Sequence, residues 1–204
     1  MSSEPARLGV MGGTFDPIHL GHLVAASEVL HSFGLDRVLF MPAGDPWQKT
    51  SRAPAEDRFM MTTLAIAGFS TFAATRLELD RKGPTVTADS FETLVEFYGE
   101  GVDFFLIAGA DTVLNLSTWK KLDRLRELTE VIAVTRPGFD LSDLQVSDRY
   151  PVVHVVEMPG IDISASDIRA RVRRGEPIDF LVPMEVADYI RARGLYSDLV
   201  ERSA

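Results

Sequence analysis

The chain has 204 residues, of which 46% are hydrophobic and 25% are charged, and its formal net charge is −9; this fits one globular domain with a sizeable core. The sequence contains no cysteine, which excludes disulfides, thiolate metal sites and a cysteine nucleophile. The negative charge argues against a nucleic-acid partner, and the lack of a long apolar run or secretory pattern argues against a membrane, so we expect a cytoplasmic protein.

Strands and helices alternate along the chain. Apolar runs predict strands near 8–11, 37–41, 73–79, 103–108, 130–134 and 152–156, and helical spacing predicts helices near 20–33, 56–68, 87–98, 111–127, 167–173 and 184–193. This alternation predicts an α/β fold, a single Rossmann-like doubly wound parallel sheet with helices on both faces. We expect the domain to span residues 7–197, between flexible tails of residues 1–6 and 198–204. Ligands of such sheets bind beyond the carboxyl ends of the strands.

The first predicted strand leads into a glycine turn and then into a helix that opens with two histidines. The segment reads Gly12-Gly13-Thr14-Phe15-Asp16-Pro17-Ile18-His19-Leu20-Gly21-His22. Glycines let the backbone approach a ligand closely, and a helix N-terminus offers N–H groups to an anion. His19 and His22 are three residues apart and share one helix face. The segment therefore predicts a phosphate site, with a simple strand-to-helix turn as the alternative. Asp16 either caps the helix or positions a ligand.

A second segment, Ile163-Ser164-Ala165-Ser166-Asp167-Ile168-Arg169, follows the last predicted strand. Ser164 or Ser166 can cap the helix that begins there. The same helix start can present N–H groups, hydroxyls and the guanidinium of Arg169 to phosphate oxygens. We predict a second phosphate-binding element, with a helix cap alone as the alternative.

Together the two segments resemble the paired signature of the nicotinate mononucleotide adenylyltransferases, which belong to the HxGH nucleotidyltransferase superfamily. The segments Gly109-Ala110-Asp111 and Thr135-Arg136-Pro137-Gly138, and Trp119, stand between them in that family's order, so the resemblance covers roughly residues 7 to 197. The chain departs from the family pattern at four positions, where the family has Pro, His, Tyr and Thr: Trp47, Gln48, Val86 and Ser166.

The resemblance implies transfer of an adenylyl group from ATP to nicotinate mononucleotide, giving deamido-NAD and pyrophosphate, a step of NAD biosynthesis. It implies that Trp119 stacks on the nicotinate base, that the backbone N–H of Thr87 meets the pyridine carboxylate, and that Asp111 binds ribose hydroxyls. It also implies Mg²⁺ bound mainly through ATP and pyrophosphate oxygens, with no metal site built from protein side chains. A homo-oligomer remains an alternative to a monomer.

The site residues that the resemblance implies fall into three groups. The catalytic residues are His19, His22, Lys49 and Arg169. The nicotinate mononucleotide-binding residues are Asp16, Lys49, Thr87 and Trp119. The ATP-binding residues are Gly12, Gly13, Thr14, Phe15, His19, His22, Gly109, Asp111, Ser164, Ser166 and Arg169.

Two other functions stay open at this point. One is another HxGH nucleotidyltransferase, such as phosphopantetheine adenylyltransferase or a cytidylyltransferase, against which Trp119 and the segment 85–89 argue. The other is a catalytically silent nucleotide-binding regulator, against which the histidine pair and Arg169 argue. The remaining histidines, His31 and His154, lie outside any motif and are predicted to be ordinary surface or structural residues.

Overall fold

The computed structural model describes residues 6–44, 51–81, 83, 85–99, 101–135 and 151–197. The strands are β1 (Arg7–Gly13), β2 (Arg37–Pro42), β3 (Phe72–Ala74), β4 (Asp103–Gly109), β5 (Glu130–Thr135) and β6 (Val153–Glu157). The α-helices are α1 (Leu20–Ser32), α2 (Ala55–Ile66), α3 (Thr87–Tyr98), α4 (Ala110–Val113), α5 (Leu122–Leu128), α6 (Ala165–Arg174) and α7 (Met184–Arg193), and a 3₁₀ helix covers Leu116–Thr118.

The six strands form one sheet in the order β3-β2-β1-β4-β5-β6, and every neighbouring pair is parallel. The predicted α/β doubly wound fold is confirmed. Chain order reverses between β1 and β4, so the helices after these two strands leave on opposite faces of the sheet. The carboxyl ends of β1 and β4 therefore border the crevice in which ligands of such sheets bind.

Hydrophobic side chains alternate between the two faces of the central strands. In β4, for example, Phe104 and Leu106 pack on the side of α3 and α5, whereas Phe105 and Ile107 pack on the side of α1, α2 and α7. Short strands that are apolar at consecutive positions are typical of a parallel sheet covered on both faces. Among the described residues, no helix combines the length and the apolar composition that a membrane span requires.

The predicted helix over 111–127 is wrong as a continuous element. The chain instead forms α4, the 3₁₀ helix and α5, with extended backbone at Trp119 and left-handed backbone at Lys121. The Asn115 side chain donates to the Asp111 carbonyl at 2.7 Å, and the Thr118 hydroxyl donates to the Asn115 carbonyl at 2.8 Å. Short polar side chains that bond the backbone in this way compete with regular helical hydrogen bonds.

The predicted strand over 73–79 ends early, at Ala74. Its pairing with β2 covers Val38 to Phe40 only, and a turn then forms in which Asp80 donates its N–H to the Arg76 carbonyl at 2.9 Å. The turn buries Glu78 against α3 rather than continuing the sheet edge.

Candidate active site

The glycine turn at the end of β1 leaves open space at the sheet edge. A Cβ built on Gly12 would meet no atom within 4 Å, so a ligand can approach the backbone there. The chain then takes left-handed backbone at Phe15 (φ 48°), whose ring is buried beneath the turn. This geometry agrees with the predicted strand, glycine turn and helix.

The two histidines are held together at the start of α1. His19 is the N-cap residue, and its backbone N–H donates to Nδ1 of His22 at 3.2 Å. The two rings are stacked with centroids 3.7 Å apart, and the Phe15 ring meets His22 edge-on at 5.1 Å. Because Nδ1 of His22 accepts a hydrogen bond, the neutral ring carries its proton on Nε2. His22 is thereby set to donate from Nε2.

The N-cap of α1 is His19 and not Asp16, which means that the predicted capping role of Asp16 is wrong. Its carboxylate is 4% exposed and accepts hydrogen bonds from the backbone N–H groups of Arg52 (2.7 Å) and Ala53 (3.0 Å) and from the hydroxyl of Tyr196 (2.7 Å). Burial and the Asp16 carboxylate raise the pKa of Tyr196, which is thus a neutral donor. Asp16 ties the start of α1 to the segment before α2 and to the end of the described chain.

A buried guanidinium, which sequence reasoning missed, supports the turn from below. Arg58 is 1% exposed and donates to the carbonyls of Thr14 (2.8 Å) and Ala43 (2.7 Å). Burial lowers the pKa of Arg58, and the nearby Asp16 carboxylate opposes that effect. The Arg58 contacts join the carboxyl ends of β1 and β2. An arginine within a predicted helix is expected to face solvent, so no sequence signal identifies Arg58 as a buried residue.

The second predicted segment lies against the first. Ser164 is the N-cap of α6 and accepts from the Asp167 N–H at 3.1 Å, which confirms the predicted cap. The guanidinium of Arg169 donates to the Asp16 backbone carbonyl at 2.7 Å and to the Ser166 hydroxyl at 3.1 Å. The start of α6 therefore adjoins the turn that precedes α1.

A cleft opens between the carboxyl ends of β1 and β4 and the start of α3. It is also lined by Glu78, Thr85 and Val86. Six of the predicted ligand residues share it, namely Gly12, Gly13, Thr14, Thr87, Gly109 and Trp119. Other described residues predicted to bind substrate lie outside its lining, namely Phe15, Asp16, His19, His22, Asp111, Ser164, Ser166 and Arg169. Lys49, Trp47 and Gln48 lie outside the described residues.

Trp119 lines the cleft with a half-buried ring. Its indole Nε1 is buried and has no acceptor among the described residues. A buried indole N–H ordinarily has a hydrogen-bond partner. The ring is held by its place after the 3₁₀ helix, with its backbone N–H donating to the Leu116 carbonyl at 2.9 Å.

Glu78 is a second residue of the cleft that sequence reasoning missed. It is 5% exposed, and its Oε1 accepts from the Ser90 hydroxyl at 2.8 Å. Burial raises the pKa of Glu78 to about 7, although the Ser90 hydrogen bond and the charge of Arg81 lower it. Glu78 stands between Leu77 and Leu79 in a predicted strand, and this alternation predicts an exposed side chain. The sequence therefore offers no signal that Glu78 is buried.

Comparison with known proteins identifies related sequences and structures. The family model described as cytidylyltransferase-like matches residues 10–171. A protein of Corynebacterium kroppenstedtii, named as a probable nicotinate-nucleotide adenylyltransferase, is 48% identical over 96% of this chain and 93% of its own length. The chain belongs to the nicotinate-nucleotide adenylyltransferase family. A family member of Salinispora arenicola with the same name is 50% identical over 91% of this chain and 99% of its own length.

Solved structures support the fold of this nicotinate-nucleotide adenylyltransferase family member. Plasmodium falciparum nicotinic acid mononucleotide adenylyltransferase complexed with NaAD has a TM-score of 0.76 and 21% identity, over 93% of this chain and 97% of the other. The same Plasmodium enzyme complexed with APC has a TM-score of 0.75. At this identity the likeness concerns the fold.

Proposed function

We propose that this protein transfers the adenylyl group of ATP to the 5′-phosphate of nicotinate mononucleotide, giving deamido-NAD and pyrophosphate in NAD biosynthesis. One observation carries the proposal. Arg169 bonds the Asp16 carbonyl and brings the start of α6 to the glycine and histidine turn. The cleft that holds Thr87 and Trp119 opens from the same turn. The proposed anion-binding edge and the aromatic pocket would then adjoin at the residues Gly12 to Thr14.

The proposed reaction is an in-line displacement at the α-phosphorus of ATP. An oxygen of the mononucleotide phosphate forms a bond to that phosphorus, and the bond to pyrophosphate breaks. A phosphate monoester has a second pKa near about 6, so the attacking group is largely a dianion at neutral pH and needs no general base. The protein has to position both substrates and stabilise the charge that moves to pyrophosphate.

The histidine pair and α6 would supply the donors for this charge. We assign His22, which carries its proton on Nε2, and His19 as donors to phosphate oxygens of ATP. Arg169 and the first N–H groups of α6 would bind the departing phosphates. Ser166 already bonds Arg169, so its hydroxyl orients the guanidinium in addition to any contact with substrate.

The cleft would take the mononucleotide. Trp119 would present a flat ring to the pyridine, and the N–H groups at the start of α3, including that of Thr87, would donate to an anionic substituent. Asp111, exposed at the start of α4, would accept from ribose hydroxyls. The nicotinate carboxylate would then meet donors, whereas the nicotinamide NH₂ would leave donors unpaired at a cost of roughly 1–3 kcal/mol each.

We propose that Mg²⁺ is bound mainly by phosphate oxygens of the nucleotide and by water. Among the described residues, no three His, Asp or Glu side chains form a group that could hold a metal ion. The buried Asp16 carboxylate already accepts three hydrogen bonds. In this proposal the ion arrives with ATP and neutralises phosphate charge. We also propose a cytoplasmic location, because the reaction consumes ATP.

A pyrophosphate-release assay tests the proposed function. The protein is given Mg²⁺ and ATP together with nicotinate mononucleotide, nicotinamide mononucleotide or phosphopantetheine, and a parallel series uses CTP. We expect the highest kcat/KM with ATP and nicotinate mononucleotide. Equal kcat/KM for the acid and the amide would contradict the assigned substrate, and no pyrophosphate with any pair would favour a silent nucleotide-binding protein.

A further inference from the structure

Glu78 is a buried carboxyl group in the wall of the cleft. Its Oε1 is bonded to Ser90, which lies in the first turn of α3, and the residues that lead into that turn, Thr85 to Thr87, line the same cleft. The carboxyl group therefore lies one hydrogen bond from the helix start that we assign to the pyridine carboxylate. The proposed reaction has not used it.

No cation within the described residues forms an ion pair with this carboxyl group. Arg81, on the same segment, directs its guanidinium to the Asp89 carbonyl at 2.9 Å and to the Thr93 hydroxyl at 2.8 Å. Its weaker contact with the Ser90 hydroxyl is 3.4 Å. The guanidinium thus acts on Glu78 through its charge and not through a direct bond.

The elements packed around Glu78 carry other charges. On α3, the Asp89 carboxylate is paired with Lys121 at 2.6 Å. Lys120, after the 3₁₀ helix, lines the cleft. On the side of β2, Gly44 touches the Glu78 backbone so closely that a Cβ would overlap the Glu78 carbonyl, and Arg58 of α2 reaches the Gly44 carbonyl at 3.4 Å.

Burial without an ion pair makes ionisation of this carboxyl group costly, and a second anion nearby makes it costlier. Its pKa of about 7 means that the neutral and ionised forms exchange within the physiological pH range. In the neutral form the carboxyl group is a hydrogen-bond donor, whereas in the ionised form it accepts only. An anionic ligand group in the cleft would meet attraction in one form and repulsion in the other.

We propose that Glu78 is a specificity-determining residue of the cleft, which favours the acid mononucleotide when its carboxyl group is neutral and disfavours it when the group is ionised. This inference rests on the proposed function. It adds a proton-dependent element to substrate choice, because the amide substrate lacks the pyridine carboxylate and does not feel the repulsion. Binding of the acid draws a proton onto Glu78.

The test compares the full-length protein with Glu78→Gln, which keeps the shape and the acceptor for Ser90 but cannot ionise. The KM for nicotinate mononucleotide is measured for both proteins at saturating ATP and Mg²⁺ across the pH range. Dividing the wild-type value by the Glu78→Gln value removes the titration of the substrate phosphate. We expect this ratio to rise about tenfold from roughly pH 6 to pH 8. The fraction of protein molecules in which Glu78 is neutral, and which therefore bind the acid well, falls by that factor.

Two further variants separate this role from a structural one. Ser90→Ala removes a hydrogen bond that lowers the pKa of Glu78, so the midpoint of the profile should move to higher pH. A purely structural contact would lower activity without moving the midpoint. If Glu78→Gln does not fold, the KM of Ser90→Ala is divided by the wild-type KM instead, and this ratio should fall as pH rises through the wild-type midpoint. Glu130→Gln makes the same chemical change on β5, at a carboxyl paired with His154, and should keep the wild-type profile.

The outcomes are distinct. If both proteins turn over nicotinate mononucleotide but the ratio of their KM values does not change with pH, the role of Glu78 is overturned and the proposed function is not. An equal rise for nicotinamide mononucleotide would also overturn it, because Glu78 would then sense the shared phosphate. No turnover with nicotinate mononucleotide at any pH, in either protein, would reject the proposed function and this inference with it.

Discussion

Arg169 and Asp16 are joined across 153 residues by a hydrogen bond of 2.7 Å from the guanidinium to the backbone carbonyl. The bond connects the helix start of the second motif to the turn that presents the histidine pair. Arginine has five N–H donors, and the bonds of Arg169 to the Asp16 carbonyl and the Ser166 hydroxyl use two, so further N–H groups remain for a ligand. The two sequence motifs consequently form one continuous structure.

Arg169→Ala should lower kcat/KM for ATP by about a hundredfold, the usual loss when one preorganised donor to transition-state charge is removed. Arg169→Lys should recover part of the loss only, because an ammonium retains the charge without the planar fork. Steady-state kinetics at varied ATP measure both. Arg173→Ala, an exposed arginine on the same helix, is the control and should behave as wild type. Full activity of both Arg169 variants would remove α6 from the phosphate site.

His22→Ala should lower kcat by about a hundredfold or more while the protein stays folded, because Nε2 loses its place as a donor to phosphate. His19→Ala should act similarly. Single-turnover and steady-state rates, with circular dichroism for folding, measure this. His31→Ala and His154→Ala serve as matched controls and should change kcat/KM little. Near-wild-type turnover of His22→Ala would take that residue out of the mechanism.

Trp119→Ala should raise KM for nicotinate and nicotinamide mononucleotide alike, by roughly fivefold or more, since base–aromatic stacking contributes about 1–3 kcal/mol. Much of the acid-to-amide ratio should survive, because the ring stacks on either pyridine. Trp119→Phe keeps an aromatic face and should restore most of the affinity. Initial-rate assays with both substrates give these values, and an unchanged KM in Trp119→Ala would refute the stacking role.

Tyr196→Phe should lower the free energy of unfolding by about 1.5–3 kcal/mol, the usual contribution of a hydrogen bond to a charged group. Asp16→Ala should cost more, because the N–H groups of Arg52 and Ala53 also lose their acceptor. Urea unfolding of the three proteins provides the comparison. Equal stability of Tyr196→Phe and wild type would show that the end of the described chain does not brace this turn.

The pKa of Glu78 also predicts how stability depends on pH. Its folded value of about 7 lies above the ordinary value of 4.5, so the folded state holds a proton that the unfolded state has released. Relative to Glu78→Gln, the wild type should lose stability as pH rises from 4.5 to 7, by up to roughly 3 kcal/mol, and should level off above. Denaturant midpoints across this range measure it, and a constant difference would contradict the raised pKa.

The sequence by itself determined the α/β alternation, the strand, glycine turn and helix of the first motif, and the serine cap of the second. These features follow from residues that are contiguous in the chain. Hydrophobic periodicity sets which face of an element is buried, and cap residues act on N–H groups two or three positions away. Features that depend on such short-range interactions can be predicted from a single sequence.

Only the tertiary structure decided what Asp16, Arg58 and Glu78 do. The partners of Asp16 lie 36 to 180 residues away, and the carbonyls that Arg58 bonds lie at the ends of two different strands. The break near Trp119 likewise packs this residue against a core cluster that includes residues of β1 and β2, which are distant in the chain. A charged side chain carries no local mark of whether it will face water or a buried partner, because burial depends on which elements the fold brings beside it.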